Sequence, residues 1–382
     1  MAQAGRWVPR REGAQRYRAF IPDPLPPHLE YTPPLIHTLS AADRAVGELA
    51  GLGRTLSNPW LLIRPLIRRE AVLSSRIEGT ETGLQELYAY EAGMKVDRVD
   101  EAREVLNYVR ALEFALEYVR QNPISLNLLR KLHWILMEDV RGARAMRGEF
   151  RHLQNWIGSP GSSIEQARYV PPPPGPPLME ALSAWERYLH TEEPQHPPLV
   201  RLALIHYAFE AIHPFIDGNG RIGRLLLALL LQAWGLLPQP LLYLSAYFEA
   251  YRQDYYDHLL AVSKEGAWEA WVQFFLRGVQ AQAEDTIRRI HRLQDLQLRW
   301  RERISEDGHA PAKLVQLVDY LFEKPVLQAR DIEKAVKVSP PTALRYIHRL
   351  LASGLLEDAE PERVRDKRYQ ASAIIEIVLQ ES

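Results

Sequence analysis

Cysteine is missing from all 382 residues, which removes disulfide frameworks, thiolate metal sites and cysteine nucleophiles together. Lysine is scarce: 8 of the 47 basic residues, against 39 arginines, a bias read as genomic base composition or heat adaptation. No uninterrupted apolar run approaches the ~20 residues a membrane helix needs; the longest, Leu225 to Leu231, reads as part of a buried helix. The opening MAQAGRWVPRREGAQRYRAF has no signal-peptide core. A soluble, cytoplasmic protein with no membrane partner is expected. Excess charge is also lacking, because 47 basic residues meet 48 acidic ones and the net charge is −1, so any nucleic-acid binding must rest on a local patch. There is no internal repeat.

The length suits two or three domains, each with its own core. Residues 1–35, rich in Pro, Arg and aromatics, predict an extended arm laid over a domain. Residues 36–120 carry helical periodicity, including one continuous stretch, RPLIRREAVLSSRIEGTETGLQELYAYEAG. Within 121–280, SLNLLRKLHWILMEDV predicts a helix with Ser125 as N-cap. The helical signal then lapses between Gly142 and Pro177, where QNWIG and ARYVP predict a hairpin or flap. PPLVRLALIHYAFEAI is apolar on nearly every face and predicts a central helix. Residues 281–309 read as a polar connecting helix, and 310–382 as three short helices followed by two strands, a winged helix-turn-helix layout.

Between the central helix and LLLALLLQAW stands HPFIDGNGRIGR, His213 to Arg224. Gly218 and Gly220 let consecutive backbone N–H groups point inward as an anion nest, and a helix starting at about Arg221 adds its N-terminal amides. Arg221 and Arg224 lie i, i+3 and offer two guanidinium forks to one polyphosphate. Asp217 can hold Mg²⁺, and His213 can take a proton near neutral pH. A base, a metal ligand, a nest and two cations within twelve residues predict a nucleotide-dependent transfer. A P-loop is excluded, since GNGRIGR lacks the Gly-Lys-Ser/Thr ending and follows a helix where a strand is required. His206 reads as a packed core residue, and HTEEPQH, at 190–196, as loop.

This loop matches every position of the Fic-family signature, HPFx(D/E)GNGRxxR, and the resemblance runs from about Leu35 to Gly278. It implies a mainly α fold, a Fic helical bundle with a β-hairpin flap, and a protein adenylyltransferase that moves AMP from ATP to a Ser, Thr or Tyr hydroxyl of a target protein or of itself. On this sequence His213 would be the base and Asp217 the Mg²⁺ ligand. Gly218, Asn219, Gly220, Arg221, Ile222, Gly223 and Arg224 would bind the nucleotide, with Tyr247 on its base. RGEFR and QNWIG resemble the target-docking flap, with Asn155, Trp156, Ile157 and Gly158 as the edge that pairs with a target by strand addition.

SSRIEGT, Ser74 to Thr80, resembles the family's inhibitory helix, (S/T)xxxE(G/N). The resemblance implies that Glu78 pairs with Arg224 and keeps it from the γ-phosphate. The same carboxylate could instead position a water for AMP removal. Arg345, His348 and Arg349, with Arg363, Arg365, Lys367 and Arg368 on the wing, form a basic patch that fits DNA or, by a slight preference, protein docking. A DNA-binding regulator with a nucleotide-sensing Fic portion is the alternative from another class. The resemblance also implies a homodimer.

Overall fold

The computed structural model describes residues 4–56, 58–140, 146–159, 161–305 and 311–380. The expected end of the connecting helix at 306–309, residue Gly142, and the chain's outer ends at 1–3 and 381–382 lie outside the described residues. Two strands, β1 (Gly5–Glu12) and β2 (Gln15–Pro22), precede a run of helices: α1 (Pro33–Thr55), α2 (Pro59–Ile77), α3 (Leu84–Glu91), α4 (Val99–Tyr118), α5 (Leu126–Leu136), α6 (Pro176–Leu189), α7 (Pro198–Ile212), α8 (Asn219–Ala233), α9 (Ser245–Ala250), α10 (Arg252–Glu265) and α11 (Trp268–Ser305). The last unit runs α12 (Ala312–Glu323), β3 (Val326–Gln328), α13 (Ala329–Val336), α14 (Pro340–Ala352), β4 (Glu357–Asp358), β5 (Arg368–Gln370) and α15 (Ser372–Leu379).

The fold is mainly helical, and α7 is its axis. Thirteen of its residues, from Leu199 to Phe209 together with Ala211 and Ile212, belong to an all-round buried surface, so it packs against α6, α8, α10 and α11 at once. The 38-residue α11, about 57 Å long at 1.5 Å per residue, lies along α1 and carries the C-terminal unit at its far end. One apolar core runs without interruption from Ala4 to Val378.

Three expectations change on folding. The arm is not simply extended: its first part is an antiparallel hairpin with Gly5 opposite Pro22 and Glu12 opposite Gln15. The long helical stretch before Gly93 breaks in two. Gly79 takes φ +102°, and Gly79 and Thr80 return their N–H groups to Arg76 and Ser75 carbonyls, so α2 ends just before Glu78. The C-terminal unit carries an added strand, β3, and a closing helix, α15; its sheet has the order β3-β5-β4.

Buried arginines bind these pieces together. The last carbonyls of a helix have no partner within it and carry partial negative charge. Arg201 donates to the carbonyls of Tyr188 and Leu189 at the end of α6, and Arg289 to those of Ile377, Val378 and Gln380 at the end of α15. Arg368 does the same beyond α3, at Ala92 and Gly93. A planar guanidinium can satisfy two or three such carbonyls at once, which an ammonium on a flexible stem does less well.

Candidate active site

His213 stands where α7 stops. Its backbone is left-handed, φ 48° and ψ 62°, a region that a residue with a Cβ enters at a cost of roughly 1 kcal/mol. Arg151 holds it there: Nε donates to the His213 carbonyl at 2.8 Å, and Nη2 donates to Pro172 at 2.6 Å and to Ile212 at 3.4 Å. The ring's Nδ1 faces the Glu210 carbonyl at 3.3 Å, so Nδ1 carries the proton and Nε2 keeps its lone pair. Burial and then the Arg151 charge push the imidazole down to about 4, so it is neutral at physiological pH.

The turn after it is braced from inside. Asn219 accepts from the Phe215 N–H and donates to the Phe215 carbonyl, both at 2.8 Å. Its side chain is therefore spent on the loop and is not free for a ligand. His133 of α5 stacks on Phe215, with ring centroids 4.0 Å apart and planes 4° apart, and Nε2 donates to the Asp217 carbonyl. Gly148 donates to its Nδ1, and burial pushes this ring down to about 4. Gly218 takes φ 79° as the N-cap of α8, which starts at Asn219, two residues earlier than expected.

The two signature arginines face different helices. Arg221 meets Glu104 of α4 at 3.4 Å and Asp217 at 3.6 Å, and its Nε is buried without a partner. Arg224 turns to α2. Its Nε donates to Ser74 Oγ at 2.9 Å, and Nη2 donates to the Ser74 carbonyl at 2.8 Å and to Glu78 Oε1 at 2.6 Å. The Arg224 side chain is 1% exposed, whereas that of Glu78 keeps 37% open. Burial would raise the Glu78 carboxyl, but the Arg224 charge and hydrogen bond, with the Arg221 charge, outweigh it and hold it below the usual range.

Two glycines of the signature owe their identity to carboxylates. A Cβ on Gly220 would lie 2.2 Å from Glu78 Oε1 and 2.8 Å from Arg224 Nη1. A Cβ on Gly223 would lie 2.1 Å from Glu210 Oε1. Glu210 has that oxygen buried without a partner, and burial pushes its carboxyl up to about 8. Glu70 of α2 accepts from the hydroxyls of Tyr108 and Ser245, and burial pushes it to about 7. Neither carboxyl, nor Arg151, stood out in the sequence; Glu210, three residues before His213 on α7, was the one a helical-face reading could have reached.

Other expected residues fall elsewhere. Ile222 is wholly buried and Gly223 backs onto α7, so neither side presents to a ligand. Tyr247 packs against Tyr251, Phe274 and Gly278, on the α11 side of the bundle. Tyr256 is nearer the signature, its hydroxyl donating to the Ile77 carbonyl at 3.4 Å. In the flap, Asn155 donates to the Phe215 carbonyl at 2.9 Å, which anchors it to the loop. Ile157 uses its N–H and its carbonyl on Tyr169 and Arg168, the single β-bridge among the described residues of a segment that also holds a short 3-10 turn, Ile164–Gln166. Trp156, Ile157 and Gly158 are exposed. His206 is a core residue, stacked among Phe248, Tyr255 and Trp271 with Nε2 2.9 Å from the Tyr255 hydroxyl. His196 ties the arm down through Tyr31 and Pro27.

A model of the Fic/DOC family N-terminal region matches residues 36–117, and a model of the Fic/DOC family matches residues 123–231, which contain the whole His213–Arg224 loop. The chain belongs to the Fic/DOC family. Relatives named "Protein adenylyltransferase Fic" from Drosophila grimshawi and Drosophila ananassae are each 33% identical to it over 203 residues, 52% of this chain and 38% and 37% of theirs. The chain thus spans under two fifths of the length of these curated relatives. A crystal structure of a Fic family protein from Desulfovibrio desulfuricans G20 shares the fold at a TM-score of 0.57 and 21% identity, covering 91% of this chain and 98% of that one. The matched ranges account for α1 to α8 and meet between α4 and α5, with Glu78 in the first and Arg221 and Arg224 in the second.

Proposed function

We propose that the protein transfers AMP from ATP to a Ser, Thr or Tyr hydroxyl of a target polypeptide or of itself, and that Glu78 restrains it. One observation carries this reading: a carboxylate oxygen already sits in an anion site, against Arg224 and over the bare Cα of Gly220, at the N-terminus of α8. A phosphate has the same charge and more oxygens, and the helix amides and dipole favour it. Arg221, buried with an orphan Nε, supplies the second cation.

The chemistry is positioning plus electrostatic stabilisation. The hydroxyl gives its proton to His213 Nε2, its oxygen bonds to the α-phosphorus, and the bond from that phosphorus to the bridging oxygen breaks, releasing pyrophosphate. Asp217 is a suitable Mg²⁺ ligand. Its side chain is 67% exposed, and Mg²⁺ favours one carboxylate, water and phosphate oxygens over an all-protein cage. When bound, the ion neutralises phosphate charge. With Arg224 tied to Glu78, the γ-phosphate loses its grip and the nucleotide is held unproductively.

We read the C-terminal unit as a winged helix for protein docking rather than DNA. Arg368 is buried against α3, Lys367 pairs with Asp358 and Arg363 with Glu360, so the wing offers few free cations; Arg345 and His348 stay exposed on α14.

Intact-mass measurement after incubation with ATP and Mg²⁺ tests the reading. A gain of one AMP in the Glu78→Gly protein that His213→Ala abolishes is the expected result. No gain in Glu78→Gly, with or without a target lysate, overturns it.

A further inference from the structure

Within residues 5–22 the β1–β2 hairpin holds five arginines, Arg6, Arg10, Arg11, Arg16 and Arg18, and one acid, Glu12. All five arginines are exposed. None of their guanidinium groups has a carboxylate partner among the described residues. Arg11 Nε donates to the Gly13 carbonyl and Arg18 Nη2 to that of Trp7, while Glu165 takes the backbone N–H of Arg16. Elsewhere the surface arginines commonly pair with acids, as Arg64, Arg98, Arg168 and Arg301 do. The register sets Arg11 directly opposite Arg16. Like charges facing each other across a ladder weaken it, so stability does not explain the choice.

Placement does. The Phe20 N–H donates to the Val170 carbonyl, and Ala19 packs with Ile164 and Val170, which joins β2 to the return limb of the flap. Tyr169 on that limb bridges to Ile157. Tyr17, opposite Arg10, lies close enough to Arg151 for that guanidinium to act on its phenol, and Arg151 grips the His213 carbonyl. The hairpin, roughly 25 Å long at 3.3 Å per residue, is thus a basic rail beside the flap. An open groove of about 480 Å³ runs between Pro9, Arg10, Arg11, Arg16, Tyr17 and Arg18. Its one tryptophan is turned inward: Trp7 packs on Phe20 and Tyr169. The rail therefore presents its cations beside a single half-buried ring, Tyr17, which suits carboxylates better than the run of stacking platforms that single-stranded nucleic acid uses.

We propose that this hairpin is the docking surface for an acidic segment of the target polypeptide, with Asp and Glu side chains across Arg10, Arg11, Arg16 and Arg18 while the neighbouring stretch passes Trp156 and Ile157. The proposal rests on the reading above for what happens next, but docking itself is independent of AMP transfer. Arginine forks take carboxylates in a two-bond geometry, and exposed pairs of this kind weaken with salt.

The test is fluorescence anisotropy on the full-length protein, with a labelled peptide of Glu and Asp around one Tyr and a matched Gln and Asn peptide. The acidic peptide should bind at least about tenfold more tightly, and less so at high salt. Joint Arg10→Glu, Arg11→Glu, Arg16→Glu and Arg18→Glu replacement should abolish the difference with an unchanged circular dichroism spectrum. Arg10→Gln with Arg18→Gln, which keeps the ladder and adds no repulsion, should give an intermediate loss. Equal affinity for the two peptides, no effect of either set of substitutions, or tighter binding of an RNA or DNA oligomer lost in the same variants would overturn the proposal. Because the readout is binding, a hairpin that captures the acidic peptide in a protein that never gains AMP defeats the transferase reading alone. AMP transfer with no acidic preference defeats the docking surface alone.

Discussion

Glu78 Oε1 lies 2.6 Å from Nη2 of Arg224 and fills the space above Gly220, so one carboxylate both neutralises a signature arginine and covers a signature glycine. Glu78→Gly should raise AMP self-transfer by about tenfold or more. It should also lower stability by about 1–3 kcal/mol, because Arg224 keeps only Ser74 as a hydrogen-bonding partner. ATP should then raise Tm more in the variant than in the parent protein, since a ligand stabilises in proportion to its affinity. Calorimetric scans with and without ATP check this, and equal shifts would mean that the carboxylate blocks nothing.

Arg151 positions His213 through its backbone, holding a left-handed residue by its carbonyl oxygen. Arg151→Ala leaves the buried carbonyls of Ile212, His213 and Pro172 short of a donor, and about 2–4 kcal/mol of stability should go with it. Arg151→Lys should rescue only part of that, because one ammonium cannot fork among three carbonyls. In the Glu78→Gly background kcat should fall while KM for ATP changes little. A large KM effect instead would place Arg151 in nucleotide binding.

Stability should peak near pH 6.5. Burial raises Glu210 to about 8 and Glu70 to about 7, and such carboxyls contribute stability that is complete below the ordinary 4.5 and lost as pH climbs through their folded values. His213 and His133 at about 4, and His206 at about 3, act oppositely: their contribution is complete above the ordinary 6.5 and lost as pH falls toward those values. Between pH 7 and 8 Glu210 dominates, so the parent protein should lose about 1 kcal/mol over that unit and Glu210→Gln should not. Denaturant midpoints at the two pH values decide it, and parallel losses would remove Glu210 from the account.

Arg368 was expected in a basic wing open to DNA or protein docking and instead clamps the end of α3 from β5, beside Gln328, which donates to the same Ala92 carbonyl at 3.0 Å. Arg368→Ala should therefore cost about 2 kcal/mol and quicken hydrogen exchange over residues 84–94, with no change in duplex DNA retention. Unchanged exchange there would show the clamp to be inert.

The site was legible in the sequence as far as chemistry is local. His213, Asp217, the glycines and the two arginines stand within twelve residues, and their order around a helix start is a matter of chain geometry. The i, i+3 spacing, however, did not tell that Arg221 turns to α4 and Arg224 to α2, since which neighbour a buried guanidinium meets depends on how three helices pack. The flap was readable as a break in periodicity, but among the described residues Ile157 and Tyr169 pair at only one bridge, and a 3-10 turn, Ile164–Gln166, stands where a hairpin ladder was expected. Tyr247 was placed by likeness alone, and the bundle draws its ring to Phe274.

What this chain's order of residues determined by itself was its helical periodicity, its lack of cysteine chemistry and the one loop with a base beside an anion nest. Only tertiary structure decided that burial raises the Glu210 and Glu70 carboxyls, that buried arginines close the ends of helices far away in sequence, and that an arginine-lined hairpin lies along the flap. The reason is physical. Backbone propensity and motif spacing act within a few residues, whereas desolvation and charge pairing depend on which segments, up to 276 residues apart in the Arg368–Ala92 contact, are brought out of water together.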